Sequence, residues 1–164
     1  MVSAMGGGNN GGDAACLARY LLDAGAAPLV LHTRPLGSCK GACGKHVRIA
    51  KAAGVLFRPY RPGAFFKEPL AAALPDIFVD GLLGTGFSGA LRPDALEIVR
   101  AVNALPNTPF VLALDIPSGL DGRTGTPSPE AVRATATVSF AAAKPGLALP
   151  EARPWTGRLH DQHF

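Results

Sequence analysis

Apolar residues in this chain fall into short unbroken runs, and stretches with helical spacing separate them. Residues 1–5, 28–33 (PLVLHT), 55–58, 76–83 (DIFVDGLL), 109–116 (PFVLALDI) and 134–142 (ATATVSFAA) each read as a strand. Runs that are apolar throughout, instead of alternating, belong to a sheet covered on both faces. Between them, residues 14–24 set Leu17, Leu21 and Ala24 on one face with Ala18 and Leu22 beside them. That spacing predicts a helix, with Asp13 as its N-cap and Gly25 as its stop. Residues 42–53, closed by Gly54, residues 66–74 and residues 93–105 are predicted as further helices. Residues 144–164 have little periodicity and leave room for a last strand. Strands alternating with helices imply an α/β domain, its parallel sheet covered by helices on both faces through right-handed crossovers.

The polar and glycine-rich segments follow the strands. The first strand runs into GGGNNGGD, the fourth into GTGFSG and the fifth into DIPSG. In an open parallel sheet, ligands bind beyond the carboxyl ends of the strands, where the strand order reverses. Three loops therefore converge on one edge. In the first, glycines let the backbone approach an anion, and the free N–H groups of the following helix point at it. Gly6, Gly8 and Gly11 fit G-x-G-x-x-G spacing, but a glycine run meets that pattern cheaply, and the two asparagines and Asp13 carry more information. The Gly84 to Gly89 loop offers many free N–H groups to a second phosphate or a ribose, or is a plain strand–helix turn.

Asp80 sits inside an apolar strand, where a carboxylate is costly unless it is paired, hydrogen-bonded or bound to a cation. Asn10 and Ser118 in the neighbouring loops add neutral oxygens, and such a low-charge set favours a monovalent cation. The other reading is that Asp80 only accepts backbone N–H groups and braces its loop. Asp115 is the first polar residue after an apolar run, where general acids and bases stand in α/β enzymes. It is equally a candidate to form the Pro-Ser-Gly bend. Cys16 lies in the first turn after the glycine loop, where a thiolate is stabilised, but reads first as a packing residue; Lys144 follows the sixth strand toward the same edge, but reads first as a surface lysine.

Composition narrows the class. At 164 residues, 48% hydrophobic and 17% charged, the chain is expected to be one globular domain with a real core. No apolar run reaches the roughly 20 residues of a membrane span, and a basic start with an apolar secretory run is not seen. A net charge of +4, from scattered basic residues, suits a phosphate-bearing ligand and is too mild for nucleic acid. Three cysteines, with Cys39 and Cys43 in a C-x-x-x-C that no second pair follows, read as reduced thiols and point to the cytoplasm. The four histidines form no ligand spacing, and neither a G-x-S-x-G elbow nor a P-loop lysine follows a glycine loop.

Taken in order, N-N-G-G-D, D-x-L-L-G-T-G-F-S-G, D-I-P-S-G-L-D and T-V-S-F-x-x-x-K-P-G-L resemble the YjeF N-terminal domain family, the NAD(P)H-hydrate epimerases. The resemblance covers residues 2–157, and it implies a three-layer α/β/α, Rossmann-like domain with a mostly parallel sheet. It also implies interconversion of the R and S forms of hydrated NADH and NADPH, so that a partner or fused NAD(P)H-hydrate dehydratase restores the cofactor. Its motifs assign substrate contacts to Asn9, Asn10, Gly11, Gly12 and Asp13, to Gly84, Thr85, Gly86, Phe87, Ser88, Gly89 and Ala90, and to Asp115. They assign one potassium ion to Asn10, Asp80 and Ser118. Asp115 is the expected general acid/base. Relative to the family the chain opens almost at strand 1 and stops early, and Ala14 stands where a glycine is common. The family's leading helices often cover the site or build a homodimer. A non-catalytic scaffold of the same fold is the alternative. An ordinary nicotinamide dehydrogenase would carry an acidic residue after strand 2, where this chain has His32-Thr33-Arg34, and Arg34 points instead to a phosphorylated ribose.

Overall fold

The computed structural model describes residues 1–61 and 75–162. Its elements run β1 (Val2–Met5), α1 (Asn9–Asp23), β2 (Leu29–His32), α2 (Gly41–Ala52), β3 (Leu56–Pro59), β4 (Ile77–Gly81), α3 (Pro93–Asn103), β5 (Phe110–Leu114), β6 (Ala136–Phe140), α4 (Arg153–Thr156) and β7 (Arg158–Gln162). The strands lie in the order β3-β2-β1-β4-β5-β6-β7, and every neighbouring pair is parallel. The sheet is thus wholly parallel, where a mostly parallel one was expected. The loosely periodic tail supplies its seventh strand, pairing Arg158 with Ala136 through Gln162 with Phe140.

The alternation within β1 builds the layers. Val2 and Ala4 point into a core with Phe78, Ile98, Val99, Val102 and Val111, which packs α3 on one face. Met5 joins Val30, Ala15, Ala18, Cys43, Val47 and Ala50, which packs α1 and α2 on the other. Apolar strands covered on both sides give the three-layer α/β/α arrangement that the runs predict. Strand order reverses between β1 and β4. Met5 pairs with His32 on one side and Gly81 on the other, so the crevice opens above Met5.

Helix α1 departs from expectation. It starts at Asn9, with Gly8 as N-cap and no side-chain cap, so Asp13 lies in its second turn and caps nothing. A Gly-Gly pair reads as loop because glycine disfavours helix interiors. Here close packing outweighs that propensity. A Cβ on Gly11 would lie 2.1 Å from the Gly6 carbonyl oxygen, and one on Gly12 would lie 2.7 Å from Cys43 Cα. Only hydrogen at these positions lets α1 descend onto β1 and α2. The predicted stop holds: Gly25 has φ +86°, and its N–H donates to the Leu22 carbonyl at 2.9 Å. The helix expected over 66–74 lies outside the described residues.

Candidate active site

A cavity of about 950 Å³ opens at the carboxyl edge of the sheet. It is lined from the first loop by Gly6, Gly7, Gly8, Asn9, Asn10, Gly11 and Asp13, and from the second by Gly84, Thr85, Gly86, Phe87, Ser88 and Ala90. Asp115 and Lys144 close it, with Thr33 toward β2 and Phe140 and Ala141 toward β6. The expected loops therefore do converge. Gly12 is buried against α2 and Gly89 stays outside the lining, as do Asp80 and Ser118. Gly8 caps α1 with extended backbone and α1 has no acidic residue in its first turn, so its leading N–H groups face the cavity free of side-chain competition.

Asn10 joins two of the loops to the sheet. Its Nδ2 donates to the Leu83 carbonyl at 2.7 Å and to the Leu114 carbonyl at 2.9 Å. The side chain is buried, and its Oδ1 accepts no hydrogen bond. An orphaned buried oxygen is costly unless something positive meets it. Asp80 is fully enclosed. It accepts the Ser118 hydroxyl at 2.6 Å and the Leu82 amide at 3.2 Å on Oδ1, and the Ser118 amide at 2.7 Å on Oδ2. Burial pushes the Asp80 carboxyl up to about 6, against the opposing pull of the Ser118 and Leu82 donors. The Leu83 amide in turn donates to Ser118 Oγ at 2.9 Å. Asn10 and Ser118 thus both bond Leu83, Ser118 ties Asp80 to them, and the orphan oxygen is on Asn10. Among the described residues no group of three or more His, Cys, Asp and Glu side chains gathers into a metal site, so the oxygens here are mostly neutral.

Asp115 follows β5 directly, with φ +67°, a left-handed conformation that aspartate tolerates better than most residues. Its N–H donates to the Val138 carbonyl at 2.7 Å, which anchors the bend to β6. Oδ2 accepts the Thr85 amide at 3.3 Å, so the second loop is tied to it as well. Gly84 permits that approach, since a Cβ there would lie 3.1 Å from Asn10 Cβ and 3.3 Å from Asp115 Oδ2. Asp13 shares the cavity. Burial raises its carboxyl above the ordinary value, His46 opposes the shift and Asp115 adds to it.

Lys144 stands where the sequence reading had it only second, at the edge of the cavity. It is not a surface lysine: its Nζ sits 2.5 Å from Asp115 Oδ1, and their side chains are 18% and 13% exposed. The ammonium also donates to Ser139 Oγ at 3.1 Å and to the Phe140 carbonyl at 2.8 Å, so all three of its protons have acceptors. The three cysteines are free thiols. Burial and the neighbouring Cys39 push Cys43 up to about 12, which keeps it protonated.

The fold and this site define a doubly wound α/β domain with a nucleotide-type crevice at its switch point. The chain matches the family model of the YjeF-related protein N-terminus over residues 1–146, and it belongs to that family. It is 40% identical over 159 residues to the bifunctional NAD(P)H-hydrate repair enzyme of Leishmania major, covering 95% of this chain and 27% of that protein. It is 38% identical over 157 residues to the NAD(P)H-hydrate epimerase of Rhodopirellula baltica, covering 94% of this chain and 62% of the relative. The chain therefore spans only part of these relatives. The crystal structure of yeast ynu0 shares the fold, with a TM-score of 0.75 at 23% identity over 89% of this chain and 59% of that one. Among the described residues no helix is long and apolar enough to cross a membrane.

Proposed function

We propose that this domain is an NAD(P)H-hydrate epimerase, interconverting the R and S forms of hydrated NADH and NADPH. The observation that carries the reading is the Asp115–Lys144 pair, partly buried and facing the same cavity as the α1 N-terminus. The names of the relatives support it. The hydrate's stereocentre bears a hydroxyl beside the ring nitrogen. Loss of that hydroxyl as water consumes one proton and leaves a carbon–nitrogen cation. Water adding to the opposite face returns the proton, so the cycle is balanced and needs no co-reactant.

One group serves both directions, because departure and return are reversals of each other. Asp115 is that group, acid when protonated and base when not. Help of this kind is worth roughly 10²–10⁴-fold. Lys144 holds the carboxylate in place through Oδ1 and balances its charge, leaving Oδ2 toward Thr85 and the cavity. The first-loop N–H groups receive the diphosphate.

A potassium ion fits the oxygen set. Asn10 Oδ1 lacks a donor, and Asp80, Ser118 and the Leu83 carbonyl stand in the same cluster. Asn10, Asp80 and Ser118 would hold it, and its charge would satisfy the orphan oxygen and fix the loops that frame the substrate. A dehydratase, fused or separate, would consume one epimer, and the free thiols suit a reducing cytoplasm. The test is exchange between the R and S hydrates, resolved by chromatography with and without potassium. Exchange above the uncatalysed rate is expected, and its absence at every potassium concentration sinks the reading.

A further inference from the structure

Arg34 lies two residues beyond β2, beside the phosphate loop. A Cβ on Gly7 would come within 3.3 Å of Arg34 Cγ and 3.5 Å of its Cβ, so the stem of the arginine lies along the glycine loop. The backbone leading to it is fixed. The Thr33 amide and hydroxyl both donate to the Met5 carbonyl, at 3.0 and 3.3 Å, and His32 Nδ1 lies 2.8 Å from the Arg34 carbonyl oxygen. The residue is exposed, and among the described residues it makes no ion pair. Arg34 stands at the rim, next to the lining residues Thr33 and Gly7, whereas Arg92, which lines the cavity, faces Asp94 at 3.6 Å.

In sheets of this order the diphosphate sits at the first helix. One nucleoside lies on the β2 side, where a carboxylate reads a free ribose 2′-hydroxyl or an arginine takes a 2′-phosphate. No carboxylate stands in His32-Thr33-Arg34-Pro35. The reactive pair Asp115–Lys144 lies on the opposite side, beyond β5, about three interstrand steps or ~14 Å across the sheet. A dinucleotide with its reacting ring at Asp115 and its diphosphate at Gly7 and Gly8 then brings its adenosine ribose to β2. A guanidinium there meets a phosphate as a two-pronged donor, which a ribose hydroxyl cannot match.

Resting on the epimerase reading, we propose that Arg34 is a specificity-determining residue that takes the 2′-phosphate, so that the site prefers hydrated NADPH to hydrated NADH. The test titrates the full chain with 2′-phospho-ADP-ribose and with ADP-ribose in a calorimeter, and runs epimer exchange on both hydrates alongside. The wild type should bind the 2′-phosphorylated probe roughly 10- to 100-fold more tightly, in line with charge-assisted hydrogen bonds. Arg34→Ala should bring that ratio to within about twofold of one, and Arg34→Lys, which keeps the charge but not the fork, should retain part of it. A ratio near one in the wild type, or an unchanged ratio in Arg34→Ala, overturns the proposal even if both hydrates are epimerised. A ratio that collapses in Arg34→Ala while neither hydrate is epimerised upholds Arg34 and overturns the reaction instead.

Discussion

Lys144 Nζ sits 2.5 Å from Asp115 Oδ1, and the two residues come from separate connections, one after β5 and one after β6. The ammonium spends its other protons on Ser139 Oγ and the Phe140 carbonyl, so it has a single geometry in which to hold the carboxylate. Removing one partner of such a pair leaves the other partly buried and unpaired. Lys144→Met should therefore lower kcat by roughly 10-fold or more, because one charged hydrogen bond is worth about that much. Lys144→Arg should recover part of the loss. Steady-state kinetics on both variants checks this. An effect confined to KM would mean that Lys144 only helps substrate to bind.

Potassium should stabilise the fold through the cluster around Leu83. A ligand that binds only the folded state adds about 1.4 kcal/mol at ten times its dissociation constant. In a domain of this size that raises the melting temperature by roughly 3–5 °C. Melting curves in potassium, sodium and lithium chloride at equal ionic strength would reveal it. Asp80→Asn should abolish the difference between the salts. A potassium effect that persists in Asp80→Asn would move the ion elsewhere.

Glycines of the first loop divide by role. Gly12→Ala forces a Cβ to within 2.7 Å of Cys43 Cα, between two packed helices, whereas a Cβ on Gly8 meets nothing within 4 Å. Overpacking of this kind costs roughly 1–3 kcal/mol. Gly8→Ala, which only exchanges the N-cap glycine for a poorer cap, should cost no more than about 1 kcal/mol. Urea unfolding of the two variants compares them directly, and equal stabilities would contradict the packing account.

The strands were legible because a parallel sheet buried on both faces demands runs such as LVLH and FVLAL, which among the described residues only strands use. The convergence of the three loops followed from the alternation of strands and helices, which makes the strands parallel and puts the loops after them at one edge. The start of α1 was not legible. Asn9 to Gly12 has poor helix propensity, and only the close approach of Gly6 to Gly11 and of Cys43, distant in sequence, to Gly12 makes glycine the residue that fits. The role of Asp80 was half legible. Its burial cost was plain from its apolar neighbours, but the three donors from Ser118 and Leu82 depend on how two loops meet. Lys144 was placed on the surface first because one lysine after a strand has no spacing pattern to show that its ammonium turns back onto Asp115. The signal available was its place in T-V-S-F-x-x-x-K-P-G, with Pro145 fixing the backbone just after it.

The central claim is that Asp115 moves the proton when a nicotinamide hydrate is epimerised. The most direct measurement starts from a purified single epimer of hydrated NADPH and follows the other by chromatography, with wild type and Asp115→Asn side by side. The wild type should bring the epimers to equilibrium, and Asp115→Asn should be slower by roughly 10²–10⁴-fold with binding of the hydrate largely kept. Exchange by Asp115→Asn at the wild-type rate, or no exchange by the wild type, would contradict the account.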